Sequence, residues 1–108
     1  MNVELSATMR TFTGETIRDG EADLLLRSVL LAALTRAGRT DQSVEEKARQ
    51  FALGVKLAGC REPRVDLDSG EVQMLKGLVA QSYGSLIVGQ VCLLLEGQPT
   101  GLPDKKSE

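Results

Sequence analysis

Few side chains in this sequence are of the types that carry out catalysis or bind metals. There is no histidine, so the commonest general base and the commonest transition-metal ligand are both missing. The two cysteines, Cys60 and Cys92, are too few to complete a zinc site and can form one disulfide at most. Phosphate-binding loops, hydrolase elbows and zinc-protease motifs are also missing. We therefore predict a non-enzymatic protein with no catalytic residue, metal or cofactor.

The remaining polar candidates have simpler interpretations. Asp66 and Asp68 could offer oxygen ligands to a cation, but no calcium-binding loop follows them, and Asp68 is well placed to cap a helix. Cys60 is expected in a surface loop, where Arg61 and Arg64 would favour its thiolate. Without a neighbouring base we interpret it as an ordinary loop cysteine, and its reactivity stays open.

Basic residues are concentrated between Arg36 and Arg64. Within this segment Arg49 and Lys56 are seven residues apart, so they share one face of a helix. Together with Arg61 and Arg64 they form a candidate patch for an anion or a partner. The patch has no interleaved aromatic residues for base stacking, and the chain has a net charge of −2. A solvated or protein-contacting surface is therefore preferred over nucleotide or nucleic-acid binding.

The composition is that of one small globular domain. The chain has 108 residues, of which 42% are hydrophobic and 26% charged, enough for a single core. Aromatic residues make up only 3%, which favours helix packing over a β-sandwich. No signal peptide is recognisable, and the longest apolar stretch, residues 86–95, is shorter than the roughly 20 residues that cross a bilayer. We expect a soluble protein without membrane contact.

The N-terminal residues predict a β-hairpin over residues 2–18. Thr13-Gly14-Glu15 can form the reversal because glycine adopts positive φ. Two strands are marginal alone, so the hairpin must pack on helices or join another sheet edge. Four apolar side chains alternate with polar ones along the first strand: Val3, Leu5, Ala7 and Met9.

Two helices are predicted next. Asp23 is placed to cap the first, which runs to Ala37. Ser43 is placed to cap the second, which ends at Gly59. Apolar residues recur in the second helix at intervals of four and three, which predicts an amphipathic helix. These residues are Val44, Ala48, Phe51, Val55 and Ala58.

Two further helices complete the prediction. Asp68 and Glu71 have capping-box spacing at the start of the third, and the fourth covers about residues 86–96 and stops at Gly97. Proline, glycine and charged residues predict a disordered tail over residues 98–108. The predicted fold is mainly α with an N-terminal β-hairpin (α+β), with about four helices in a small bundle. Residues 1–97 form its single domain, helical over residues 19–97.

The first and fourth helices are apolar on nearly every side. A domain of this size has difficulty enclosing both, and exposed apolar patches mark interfaces. We therefore predict a homo-oligomer. The candidate interface residues are Leu25, Val29, Leu86, Val88, Gly89 and Val91.

Short motifs follow one another along most of the chain in a recognisable order. They are the hairpin with Gly14, the Asp19-Gly20 turn before Leu24-Leu25-Leu26, Glu46-Lys47 ahead of Phe51 and Lys56-Leu57, Val65-Asp66-Leu67, Leu75-Lys76, and Tyr83 to Val91 with Leu94-Leu95-Glu96. In this order they resemble small, mostly uncharacterised accessory proteins of tailed bacteriophages. The resemblance implies a role in virion assembly or in phage–host conflict, in the host cytoplasm, and assigns no catalytic residue.

Three functions stay open at this point. The first is a phage accessory protein that acts by protein–protein interaction and self-association, such as a head or tail assembly chaperone. The second is an anti-defence protein that sequesters a nucleotide signal or inhibits a host defence protein. The third is a small DNA-binding regulator. The expected partners are a second copy and a phage or host protein, with nucleotide or nucleic acid less favoured.

Overall fold

The described part of the chain folds into four helices and four short strands. The computed structural model describes residues 2–36 and 43–102. In chain order the elements are β1 (Asn2–Glu4), β2 (Arg18–Asp19), β3 (Ala22–Asp23), α1 (Leu26–Arg36), α2 (Val44–Gly59), β4 (Arg64–Asp66), α3 (Ser69–Ser82) and α4 (Ser85–Leu95). The predicted fold class, mainly α with antiparallel β structure near the N-terminus, is confirmed.

The predicted caps of α2 and α3 are confirmed. The Ser43 hydroxyl accepts a hydrogen bond from the Glu46 N–H at 3.1 Å. Asp68 and Glu71 form a complete capping box, in which each side chain accepts from the other residue's backbone N–H. Beyond the end of α4, Gly97 has a φ of 73°, the left-handed conformation that glycine adopts after a helix. These local signals set the helix ends as expected.

The predicted cap of α1 is wrong. The helix begins at Leu26, and Asp23 lies instead in β3, opposite Arg18 of β2. The Asp23 carboxylate is 3.7 Å from the Arg18 guanidinium. Gly20 supplies the tight reversal between the two strands with a φ of 68°, so this turn takes Asp23 away from the helix start. The predicted end of α1 at Ala37 lies outside the described residues.

Pairing within residues 2–18 is less extensive than one long hairpin. The chain does reverse around Gly14, whose φ is 93°, and Arg10 forms an antiparallel bridge with Thr16. β1 itself pairs with β4, in a ladder that places Val3 opposite Val65. This partner follows two helices later in the chain, and local turn signals cannot indicate such a distant pairing.

The core is aliphatic and lies between the helices and β1. α1 packs against α2 and α3, α3 packs against α4, and α4 also contacts β1. Each helix contributes fully or nearly fully buried leucine or valine residues. The domain thus encloses more of the two very apolar helices, α1 and α4, than their composition led us to expect.

A buried glutamine joins the N-terminal segment to α4. Gln90 is 4% exposed. Its Oε1 accepts the Arg10 N–H at 2.8 Å, and its Nε2 donates to the Arg10 carbonyl at 2.8 Å and to the Leu86 carbonyl at 3.0 Å. The amide therefore satisfies both backbone groups of Arg10, as a neighbouring strand would. Because unpaired backbone groups are costly away from water, this pairing fixes the position of the segment on α4.

We expect Gln90→Leu to lower the free energy of unfolding by about 1–3 kcal/mol, because both backbone groups of Arg10 lose their partner. Urea denaturation followed by circular dichroism measures the change. Gln73→Leu makes the same substitution at an exposed position of α3 and should stay within about 0.5 kcal/mol of wild type. Equal losses in the two variants would show that the pairing contributes nothing specific.

Candidate functional site

Helix α2 presents a row of apolar side chains to the outside. Val44 is 83% exposed, Phe51 73% and Val55 56%. Ala48 and Ala58 complete the row and are also exposed. We call these five residues the α2 outer face. Single exposed apolar residues are common on proteins, but a contiguous row on one helix face is not.

A different row of α2 packs into the domain. Gln50, Leu53 and Leu57 are its buried residues. At 3.6 residues per turn, the two rows point roughly 150° apart. The amphipathic row found in the sequence is real, but an amphipathic helix normally turns such a row to the core. In this structure the row with Leu53 and Leu57 faces the core instead, so α2 carries apolar residues on two sides.

A groove of about 330 Å³ lies between α1 and α2, beside the outer face. We call it the α1–α2 groove. Its lining residues are Leu31, Leu34, Thr35, Gln50, Phe51, Gly54, Val55 and Ala58. None of these described residues is charged. The groove is therefore suited to an apolar occupant rather than to an anion.

Gln50 is the buried polar residue of this groove. It is 8% exposed, and within residues 2–36 and 43–102 no hydrogen bond joins its side-chain amide to another residue. Burying an amide without a partner is unfavourable, so the groove offers one hydrogen-bonding group in apolar surroundings. The sequence did not single out Gln50, because a glutamine among the charged residues of a surface helix gives no signal of burial.

Two of the four residues in the predicted basic patch are paired with carboxylates. The Lys56 Nζ lies 3.1 Å from a carboxylate oxygen of Glu71. The Arg64 Nε lies 2.9 Å from Oε1 of Glu4. Each pair reduces the positive charge available to a bound anion, since the two members largely cancel at longer range.

The other two basic residues are not brought together. Arg49 lines a groove between α2 and α3 that also contains Asp68 and Glu71. Arg61 lines a separate groove next to Arg27. The four residues of the candidate anion or partner patch therefore do not line one groove, and acidic side chains lie beside Arg49, Lys56 and Arg64.

The predicted oligomer interface is wrong in part. Val29 and Val91 have no exposed surface, because α1 and α4 both pack against α3. A second copy could not contact them without opening the core. The remaining predicted residues are Leu25, Leu86 and Val88, which are partly buried, and Gly89, which is exposed.

The described part of the expected tail lies beside α4. Thr100 and Leu102 are partly buried and share a groove with Gly89. Residues 98–102 therefore cover some of the α4 surface that was expected to meet a second copy. Residues 103–108 lie outside the described part of the chain.

The cysteine and metal-binding chemistry considered from the sequence adds no second candidate site among the described residues. The Cys60 Sγ lies 3.5 Å from the Glu62 carbonyl and 3.6 Å from the Arg64 carbonyl, so its thiol has backbone acceptors. Within the described ranges no group of three or more cysteine, aspartate or glutamate side chains could hold a metal ion. The helices described there are all too short or too polar to cross a membrane.

No protein family matches the chain, and neither does any curated protein or solved structure. The candidate site consists of the α2 outer face and the α1–α2 groove.

Substitutions on the two sides of α2 should differ sharply in their effect on stability. Leu57 is fully buried, so we expect Leu57→Ala to lower the free energy of unfolding by about 2–5 kcal/mol. Phe51→Ala, on the outer face, should change it by at most about 0.5 kcal/mol. Urea denaturation at low protein concentration measures both. A large loss from Phe51→Ala would mean that this row packs within the domain.

The carboxylate of Glu4, the last residue of β1, gives a second testable prediction. The Ser6 hydroxyl donates a hydrogen bond to its carboxylate, and this bond, followed by the Arg64 interaction, holds the pKa of Glu4 below its ordinary value of 4.5. A lowered folded-state pKa stabilises the fold at neutral pH, and the contribution is lost as the pH falls through that pKa. We expect Ser6→Ala to raise the pKa of Glu4, followed through its carboxyl ¹³C shift. An unchanged pKa would contradict the assigned cause.

Proposed function

We propose that this chain is a non-enzymatic protein-interaction protein that binds its partner through the α2 outer face and the α1–α2 groove. The supporting observation is the exposure of Val44, Phe51 and Val55 on a helix whose opposite side is packed into the core. Contiguous apolar surface of this kind usually marks an interaction site in proteins. An aromatic side chain at its centre is typical of the residues that dominate binding energy.

The chemistry of the groove favours a protein segment over a small charged ligand. Its lining is uncharged and mostly aliphatic, so an apolar helix face or an extended apolar segment would lose little hydration on entering it. Gln50 could pair with one polar group of such a segment. The same chain already shows this use of a glutamine, since Gln90 pairs with the backbone of Arg10.

The resemblance to accessory proteins of tailed bacteriophages supplies a context for this proposal. In that setting the protein would act in the host cytoplasm as a head or tail assembly factor, and the α2 outer face would bind an apolar segment of a virion protein before assembly. A host defence protein is the alternative partner for the same face.

Nucleotide sequestration and DNA binding receive less support. Both need clustered free cations, whereas Lys56 and Arg64 are each paired with a carboxylate. Arg49 and Arg61 lie in separate grooves. Protein binding therefore remains the preferred function.

Charge placed on the outer face should abolish partner binding. We expect the double variant Phe51→Glu with Val55→Glu to recover at least tenfold less partner than wild type in affinity capture from phage-infected cells, because it buries unpaired carboxylates in an apolar contact. Ala80→Glu adds a charge at an exposed position of α3 and should capture as wild type does. Circular dichroism and thermal melts check that each variant is folded.

Undiminished capture by the double variant would contradict the proposal, since the partner would then bind elsewhere. Calorimetry with cyclic and linear nucleotides tests the alternative on the same samples. Binding heat that disappears on Arg49→Ala or Arg61→Ala would transfer the function to nucleotide sequestration.

A further inference from the structure

We propose that a second copy of this chain occupies the α2 outer face, with the two α2 helices antiparallel across a two-fold axis. This inference rests on the proposed function, because it uses the same surface, and it goes further by naming the occupant and its orientation. It also replaces the interface that the sequence predicted on α1 and α4, of which Val29 and Val91 are buried.

The spacing of the outer face is that of a helix–helix seam. Its residues recur at intervals of four, three, four and three along α2, which is the a/d pattern of two paired helices. In a helix that serves only its own core, this row would be buried. In α2 it is the exposed row, with Val44 and Phe51 among the most exposed apolar side chains described.

Side-chain sizes favour the antiparallel arrangement. In the register that pairs the first four residues of the row, Val44 faces the partner's Val55 and Ala48 faces the partner's Phe51, while Ala58 lies beyond the last layer. Each of these layers joins two medium side chains or one large and one small, so the layers have similar volumes. In a parallel pair each residue would face its own equivalent, so two phenylalanines would crowd one layer and two alanines would leave the next one underfilled.

The charges beside the seam are compatible with this register. Glu45 and Lys47 flank the row on α2. In the antiparallel register Glu45 lies nearest the partner's Ala52, and Lys47 lies nearest the partner's Gly54. Like charges therefore do not meet across the axis, and the two helix dipoles are oriented favourably.

The area available fits a weak, reversible dimer. The exposed fractions of Val44, Phe51 and Val55 correspond to roughly 400 Å² of apolar surface per copy. With the flanking side chains the contact reaches about 1,000 Å² in total, near the lower limit for a specific interface. Dissociation is then expected in the micromolar range, where concentration controls the population of the dimer.

Molar mass as a function of concentration tests the association. By light scattering and sedimentation equilibrium, the wild-type protein should change from 11.6 kDa toward twice that mass between about 1 and 100 µM. We expect Phe51→Glu to raise the dissociation constant at least tenfold, while Ala80→Glu leaves it unchanged. A wild-type protein that stays monomeric up to about 1 mM would overturn the inference. A Phe51→Glu variant that dimerises as tightly as wild type would also overturn it.

Disulfide trapping tests the orientation. A tagged Val44→Cys chain mixed with an untagged Val55→Cys chain should form a mixed disulfide under mild oxidation, whereas each variant alone should show only the background given by Cys60 and Cys92 in wild type. Efficient self-trapping of Val44→Cys would indicate the parallel pair. A dimer with no trapping in any combination would place the contact elsewhere, and both results overturn the proposed arrangement.

Failure here is distinguishable from failure of the proposed function. A strictly monomeric wild type whose partner capture is still abolished by Phe51→Glu with Val55→Glu would exclude the second copy and leave the protein-interaction function intact. A dimer that depends on Phe51, with partner capture unaffected by the same substitutions, would support the dimer and place the partner site on another surface.

Discussion

The pairing of the Gln90 side chain with the backbone of Arg10 ties the N-terminal segment to α4. Residues 2–10 include the short strand β1, a turn at Leu5 and Ser6, and isolated bridges at Thr8 and Arg10, so they have no single neighbouring strand along their length. Their backbone groups are satisfied by several partners in turn: β4, the loop before it through Pro63, the residues leading into and starting α1 through Leu24 and Leu26, and finally α4 through Gln90. Unpaired backbone groups would be costly there, so these partners must all assemble around the same segment.

This arrangement determines which helices form the core and which helix stays at its edge. The N-terminal segment brings together α1, α4 and β4, and α3 packs against both α1 and α4. α2 packs chiefly on α1, through a narrow row that contains Leu53 and Leu57. Its opposite side is left without a covering element among the described residues. The exposed position of Phe51 therefore follows from the packing of the rest of the domain.

The features that were predictable from the sequence are those set within a few residues. The Ser43 cap and the Asp68–Glu71 capping box depend on neighbours three residues apart, and both were found. The pairing of β1 with β4 was not, because its partner is distant in the chain. The residues of the candidate site were recognised as one apolar row, but their exposure was not foreseen. Both sides of α2 carry apolar residues, and periodicity alone cannot tell which side the rest of the domain will cover.

The rotation of α2 about its own axis is what keeps the outer face available, and polar contacts contribute to setting it. Lys56 bonds to Glu71, and Glu71 is also the residue that closes the capping box of α3. Turning α2 by roughly 150° to bury Phe51 would separate Lys56 from Glu71 and move Leu53 and Leu57 into solvent. Lys56, one of the basic residues that suggested an anion site, thus links α2 to α3. This contact favours the rotation of α2 in which the heptad-spaced row stays exposed.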